Sequence, residues 1–367
     1  MSEPERQRAK RYSFFNYSLS ILETAYLFSL ILIFLGSGLS KIIALGLLKF
    51  TTANYLIIPS YLLIVSLGYY FLNLPLNFYH SYVLEHSFSL SNQSVKDWVI
   101  DQIKAAAVSY IIAVILISAF YYILKHFLHS WWLVISLFWI FFNLVLARLV
   151  PIIIIPLFFK YKKLTDDILR ERIMNLAKKM KVRILDCFEI DFSKKTLKGN
   201  AAFLGWGKTK RVILADTLKD KYTPDEIEVI LAHEFAHYRL RHLLKLISIN
   251  SLLAIIIFYL IFKTSDYTLE LFGLSSLFDV ASLPVIFLYF LLFGIIMQPF
   301  GNYISRILEK NADLMALSIT GSKDAFISMM EKLSSQNLAD RNPHPIIKFF
   351  FFDHPPVDER ITMARSL

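Results

Sequence analysis

The residues with the clearest chemical meaning are His233-Glu234-Phe235-Ala236-His237, an H-E-x-x-H pattern. Two imidazoles four positions apart project from one face of a helix and can reach one metal ion together. Glu234 lies beside them, where it could take a proton from a water that the metal activates. A catalytic zinc commonly has three protein ligands, with the fourth position left for water. Cys187 is the only cysteine, so no disulfide within the chain and no cysteine-based zinc site is available. The missing ligand must be a histidine or a carboxylate. Glu309 fits, about nine residues past a long apolar stretch and on an expected helix. Asp313 stands one turn further along the same face and could accept a hydrogen bond from the free nitrogen of a ligating histidine. His242, five residues after His237, falls on a different side of a continuous helix and is not read as a ligand.

Several elements must hold these groups. Thr223-Pro224-Asp225-Glu226 reads as a capping box, with Thr at the N-cap, Pro at the first helical position and Glu at N3. From Pro224 to Lys263 there is no glycine and no further proline. One helix is therefore expected to run through the motif and into the apolar stretch that begins near Leu243. At 1.5 Å per residue His237 would lie about 10 Å from that stretch, at the membrane surface or in a cavity just inside it.

A membrane span needs roughly 20 apolar residues. Six stretches qualify, near 19–36, 55–76, 105–124, 131–155, 246–262 and 283–300. Trp131 and Trp132 suit an interfacial anchor. Residues 157–242 are rich in charge and read as helix (166–180), strand (182–190), strand (200–204), strand (211–215) and the motif helix. Gly205-Trp206-Gly207-Lys208-Thr209 carries the turn signals of a hairpin. The apolar run at 346–352 is too short to span. The expected fold is mostly α and integral to the membrane, with six transmembrane helices and an α/β domain that carries the H-E-x-x-H motif and holds a small antiparallel sheet. It divides into a four-span region (1–156), the domain with H-E-x-x-H (157–242), spans five and six (243–300) and a segment completing the metal site (301–367).

Composition agrees. The chain has 367 residues, 56% hydrophobic and 15% aromatic, against roughly 45–50% apolar in soluble domains. The formal charge of +10 suits basic flanks facing anionic lipid rather than a nucleic-acid partner. The first apolar stretch lacks a small-residue cleavage site and reads as a retained span. With six spans, both termini and the motif share one side. Arg6, Arg8, Lys10 and Arg11 make that side cytoplasmic. Glu23, inside the first span, is costly in lipid and requires a cavity or a partner.

The chain resembles the membrane zinc metalloproteases that include the type I CAAX prenyl endopeptidases. Pro75-Leu76-Asn77-Phe78-Tyr79 and Val83-Leu84-Glu85-His86-Ser87-Phe88 resemble the family's segment after an early span. Pro156-Leu157-Phe158-Phe159 resembles its passage into the soluble domain. Asp191-Phe192-Ser193-Lys194-Lys195, Asn200-Ala201-Ala202-Phe203-Leu204-Gly205 and Val212-Ile213-Leu214-Ala215-Asp216-Thr217-Leu218 resemble its next run. His354-Pro355-Pro356-Val357-Asp358-Glu359-Arg360 resembles its C-terminal motif.

The resemblance implies one zinc per chain on His233, His237 and Glu309, with Glu234 as the base. It also implies His354 and Arg360 near the reacting carbonyl, and Asn200, Ala201, Ala202 and Phe203 as an edge strand for extended substrate. Such a strand makes physical sense, because a protease must bind backbone of any sequence. Family members enclose a chamber within seven helices, whereas six spans are read here. The implied partners are a peptide or protein substrate, prenylated or not, and the lipid bilayer of a bacterial inner membrane or endoplasmic reticulum. Two other readings use the same residues: a quality-control protease for membrane proteins, and a zinc-binding scaffold without hydrolysis. Against the scaffold, static binding has no need of Glu234, and static zinc sites usually close with four protein ligands.

Overall fold

The structure, a computed structural model, describes residues 3–51, 53–205 and 210–367. The first helices are α1 (Glu3–Gly36), a short α2 (Leu39–Leu48), α3 (Asn54–Phe78), α4 (Val95–His126) and α5 (Trp131–Leu149). Helix α3 continues through a π-helical turn, Tyr79–Leu84. Among the described residues six helices are long and apolar enough to cross a bilayer, and each of the six expected stretches falls inside one of them.

Glu23 has its partner. His80, on the π-helical turn, lies with Nδ1 2.8 Å from Glu23 Oε1 and Nε2 2.7 Å from Asn16 Oδ1. The imidazole therefore joins the first span to the second through the one carboxylate that lipid would penalise.

After α5 come β1 (Tyr161–Lys163), α6 (Asp167–Lys179), β2 (Asp186–Ile190), β3 (Ala201–Leu204) and β4 (Arg211–Ala215). The sheet order is β1-β2-β4-β3. β1–β2 and β3–β4 are antiparallel, but β2 and β4 run parallel. The sheet is thus mixed, not wholly antiparallel as expected. The chain leaves β2, crosses to the far edge to lay down β3, and turns back into the middle as β4. The turn expected at Gly205–Thr209 lies largely outside the described residues, although the register Leu204↔Arg211 closes a hairpin around it.

The strand expected from residue 182 starts only at Asp186. Lys181 has φ +56°. Val182 N donates to Ala177 O and Lys181 N to Lys178 O, which is a Schellman ending for α6. Val182 is buried because it packs as the apolar residue just past that cap.

The capping box is present. Thr223 accepts from the Glu226 N–H and Glu226 accepts from the Thr223 N–H at the start of α7 (Pro224–Arg239). The helix does not continue into the membrane. Arg241 takes a left-handed conformation (φ +56°, ψ +37°), and α8 (His242–Leu271) starts anew. No glycine marks this break. A non-glycine residue there costs about 1–2 kcal/mol.

Then follow α9 (Leu283–Thr320), α10 (Lys323–Gln336), α11 (Pro345–Phe351) and α12 (Val357–Ser366). Helix α9 runs unbroken from the sixth apolar stretch to Thr320, with Pro299 inside it. Helices α7 and α9 are in contact, and Ala232, Ala236, Ala312 and Ala316 are fully buried in one cluster with Phe235, Phe326 and Ile361. Such small residues let two helices approach closely, and their polar neighbours in sequence form the site.

Candidate metal centre

His233 and His237 stand on α7; Glu309 and Asp313 stand on α9. His233 Nε2 lies 3.0 Å from His237 Nε2. Glu309 Oε2 lies 3.1 Å from His233 Nε2, and Glu309 Oε1 lies 3.3 Å from His237 Nε2. Ligand atoms about 2.0–2.1 Å from a tetrahedral ion stand roughly 3.3 Å from one another. The three side chains offer donor atoms that all lie within 4.8 Å of each other. Glu309 Oε2 is buried and has no hydrogen-bond partner among the described residues. A buried carboxylate whose two oxygens face the two ring nitrogens, with Oε2 left unbonded, fits a shared cation.

The rings are held from behind. His233 Nδ1 lies 2.8 Å from Asp313 Oδ1. Asp313 is fully buried and is gripped by Arg360 from α12, whose Nε donates to Oδ2 at 2.7 Å and Nη2 to Oδ1 at 2.5 Å. Arg360 reaches the site but commits two donors to Asp313 in a fork. His237 Nδ1 meets His242 Nδ1 at 3.0 Å. The broken helix makes this contact, so His242 was missed for want of any glycine or proline to signal the break.

Electrostatics separate the two histidines. Burial disfavours charge on His233, but Asp313 and Glu309 outweigh it and push its pKa up to about 9. Burial, then the charge of His233, pushes His237 down to about 4. Burial raises the Glu234 carboxyl above the usual range, and Glu309 adds to that. His354 Nε2 lies 3.3 Å from Glu309 Oε2, while its Nδ1 lies 2.8 Å from Asp353 Oδ1. Burial opposes its charge, but Asp353 and Glu309 raise its pKa overall.

A cleft of about 430 Å³ opens onto these groups, lined by His233, Glu234, His354 and Arg360 together with Asn200 and Ala201. β3 is a sheet edge, and Phe203 anchors it to α7 by edge contact with Phe235. The segment before β3 is clamped from α10. Asn337 Oδ1 accepts from the Gly199 N–H at 2.9 Å, and Gln336 Nε2 donates to Leu197 O at 2.7 Å. A Cβ on Gly199 would sit 2.8 Å from both Gln336 Oε1 and Leu218 Cδ2. Lys198 Nζ lies 2.8 Å from Glu85 Oε2 and 2.9 Å from Tyr12 OH, so α1 and the segment following α3 brace the same loop. Only the resemblance pointed to Glu85, and no sequence signal pointed to Gln336 or Asn337.

Comparison with known proteins agrees with this geometry. Residues 163–367 match the model for peptidase family M48. Residues 1–160, which carry α1–α5, match that for the CAAX prenyl protease N-terminal region, described as five membrane helices. The chain is 28% identical to the uncharacterized metalloprotease YhfN of Bacillus subtilis over 100% of this chain and 87% of that one. It is 30% identical to CAAX prenyl protease 1 of Saccharomyces cerevisiae over 79% of this chain and 68% of that protein. The crystal structure of S. mikatae Ste24p matches with a TM-score of 0.90 at 26% identity, covering 99% of this chain and 90% of that one.

Proposed function

The chain belongs to peptidase family M48 and is a multi-pass membrane metalloendopeptidase, and from that premise we propose a zinc-dependent cleavage centred on His233, His237, Glu309 and Glu234. The observation that carries this reading is the convergence, beside Glu234, of both Nε2 atoms and the Glu309 carboxylate, whose Oε2 has no hydrogen-bond partner among the described residues. Zinc held there would act as a Lewis acid and bring the pKa of its water to about 7. Glu234 takes the proton of the attacking water and returns it to the leaving amine. Its raised pKa suits a group that must both accept and release a proton. His354, its Nδ1–H bound to Asp353, donates from Nε2 to the oxyanion that develops on the carbonyl. Asp313 orients His233, and Arg360 holds Asp313. Asn200, Ala201, Ala202 and Phe203 lay the substrate along the open edge of β3.

The substrate class we propose is the C-terminus of prenylated proteins, on the strength of the CAAX prenyl proteases among the relatives. The even number of candidate spans and the basic residues before the first support an active site and both termini on the cytoplasmic side. On this reading 1–156 and 243–300 form the membrane region, and 157–242 and 301–367 the catalytic one.

The test pairs zinc content with cleavage of a farnesylated CAAX peptide and its unprenylated twin in detergent. We expect one zinc per chain and cleavage of the farnesylated peptide. Glu234→Gln should keep zinc and lose turnover, and Glu309→Ala should lose zinc. Wild-type turnover by Glu234→Gln would end the base assignment. Stoichiometric zinc in Glu309→Ala would require another third ligand. Fragmentation of many unfolded chains, with the CAAX peptides untouched, would move the substrate to misfolded membrane proteins.

A further inference from the structure

We propose that His242 is a positioning residue for His237: it accepts the Nδ1–H of that ring and so fixes its orientation and tautomer from the side opposite the metal. The inference rests on the metal site proposed above.

The contact is built at a cost. In a continuous helix, residue 242 would stand about 140° around the axis from residue 237. The left-handed Arg241 undoes that separation, and the two rings meet edge to face with centroids 5.0 Å apart. His242 is 1% exposed, so this is an interior contact. A non-glycine residue in that conformation persists where surrounding structure enforces it.

The chemistry gives the contact a direction. An imidazole that offers its Nε2 lone pair to a cation carries its proton on Nδ1. His237 Nε2 faces Glu309 and His233, so its Nδ1–H points at His242 Nδ1, 3.0 Å away. His242 must then accept at Nδ1 and carry its own proton on Nε2. That Nε2 is buried with no partner among the described residues. A buried N–H needs an acceptor, and an ordered water is the ordinary one. A neutral acceptor also suits the site, where Glu309 and Glu234 already stand beside the candidate metal position and Asp313 stands behind His233. A fourth carboxylate would add like charge to them.

The test is zinc affinity of the full-length protein in detergent, measured by chelator competition, with the visible spectrum of the cobalt-substituted protein as a second readout. His242→Leu keeps the bulk and removes the acceptor. His242→Gln keeps a neutral acceptor. We expect His242→Leu to bind zinc 10- to 100-fold more weakly and to change the cobalt spectrum, and His242→Gln to recover most of both. A role in packing alone would treat the two variants alike. Wild-type affinity and spectrum in His242→Leu, or equal loss in both, would overturn the proposal. Should His242→Leu not fold, His242→Gln decides: near-wild-type affinity supports the acceptor, and a tenfold loss removes it. A wild-type protein that holds no zinc would instead sink the metal site itself.

Discussion

The two histidines of one motif are held in opposite ways. His233 is backed by a fully buried carboxylate, itself gripped by a guanidinium fork. His237 is backed by another imidazole and is 28% exposed against 12% for His233. Four positions apart on one helix, the same side chain rests near pKa 9 in one place and near 4 in the other. The difference lies in the carboxylates that face His233 and in the burial and the His233 charge that act on His237, and a motif written as letters does not record it.

The sharpest way to break this contrast is to release the charged side. Arg360→Met leaves Asp313 buried without its cation. Removing one partner of a buried pair costs about 3–5 kcal/mol, so the melting temperature in detergent should fall steeply. An unmoved melting temperature would mean that the fork contributes nothing. His354→Ala probes the face where Glu309 meets neither ring's support. Turnover should fall about 100-fold, close to 2.7 kcal/mol, with zinc retained. A loss of zinc instead would make His354 part of the ligand set.

A smaller effect sharpens the contrast through pH. Metal binds neutral imidazole, so a ring protonated in the metal-free site must first lose its proton. His233 stays charged up to about 9, whereas His237 is neutral above about 4. Between about 4 and 7, below the pKa of a zinc-bound water, each zinc should release one proton from the pair, and affinity should rise about tenfold per pH unit, roughly 1.4 kcal/mol. Above about 7 the proton of that water adds to the slope. Two protons released at about pH 6, read by calorimetry in buffers of different ionisation enthalpy, would contradict the asymmetry. The smallest effect lies away from both rings. Gly199→Ala presses on Gln336 and Leu218, and we expect a loss on the order of tenfold in kcat/KM, through KM, with zinc affinity unchanged. A change in zinc affinity would tie the clamp to the metal instead.

Much of this site was legible because its parts are local. The H-E-x-x-H spacing, the Thr223–Glu226 box and the Glu309–Asp313 turn each depend on one helix and its period. The six apolar stretches were legible for the same reason. What escaped depends on contacts between elements or on a residue in an unusual conformation. Val182 looks like strand and is the apolar end of a helix cap. Arg241 carries no sign that it will turn left-handed, so His242 could not be brought to His237 on paper. The parallel pairing of β2 with β4 depends on a crossover that alternation alone does not specify. Gln336 and Asn337 reach Gly199 across more than a hundred residues of chain.

The turn at Arg241 also bears on how the protein meets its bilayer. Of the two helices that lead from the membrane to the metal, α8 is separated from α7 by that turn, and α9 contains Pro299, where a helical hydrogen bond is lost. The two routes therefore differ: one is interrupted between its span and its ligands, and the other is a single helix from its span to Glu309. When a bilayer thickens or thins, spans answer by tilting. A tilt of α9 is carried along one helix to Glu309, whereas a tilt of α8 meets the turn at Arg241 before it reaches α7. Of the three candidate ligands, two sit beyond a hinge and one at the end of a lever.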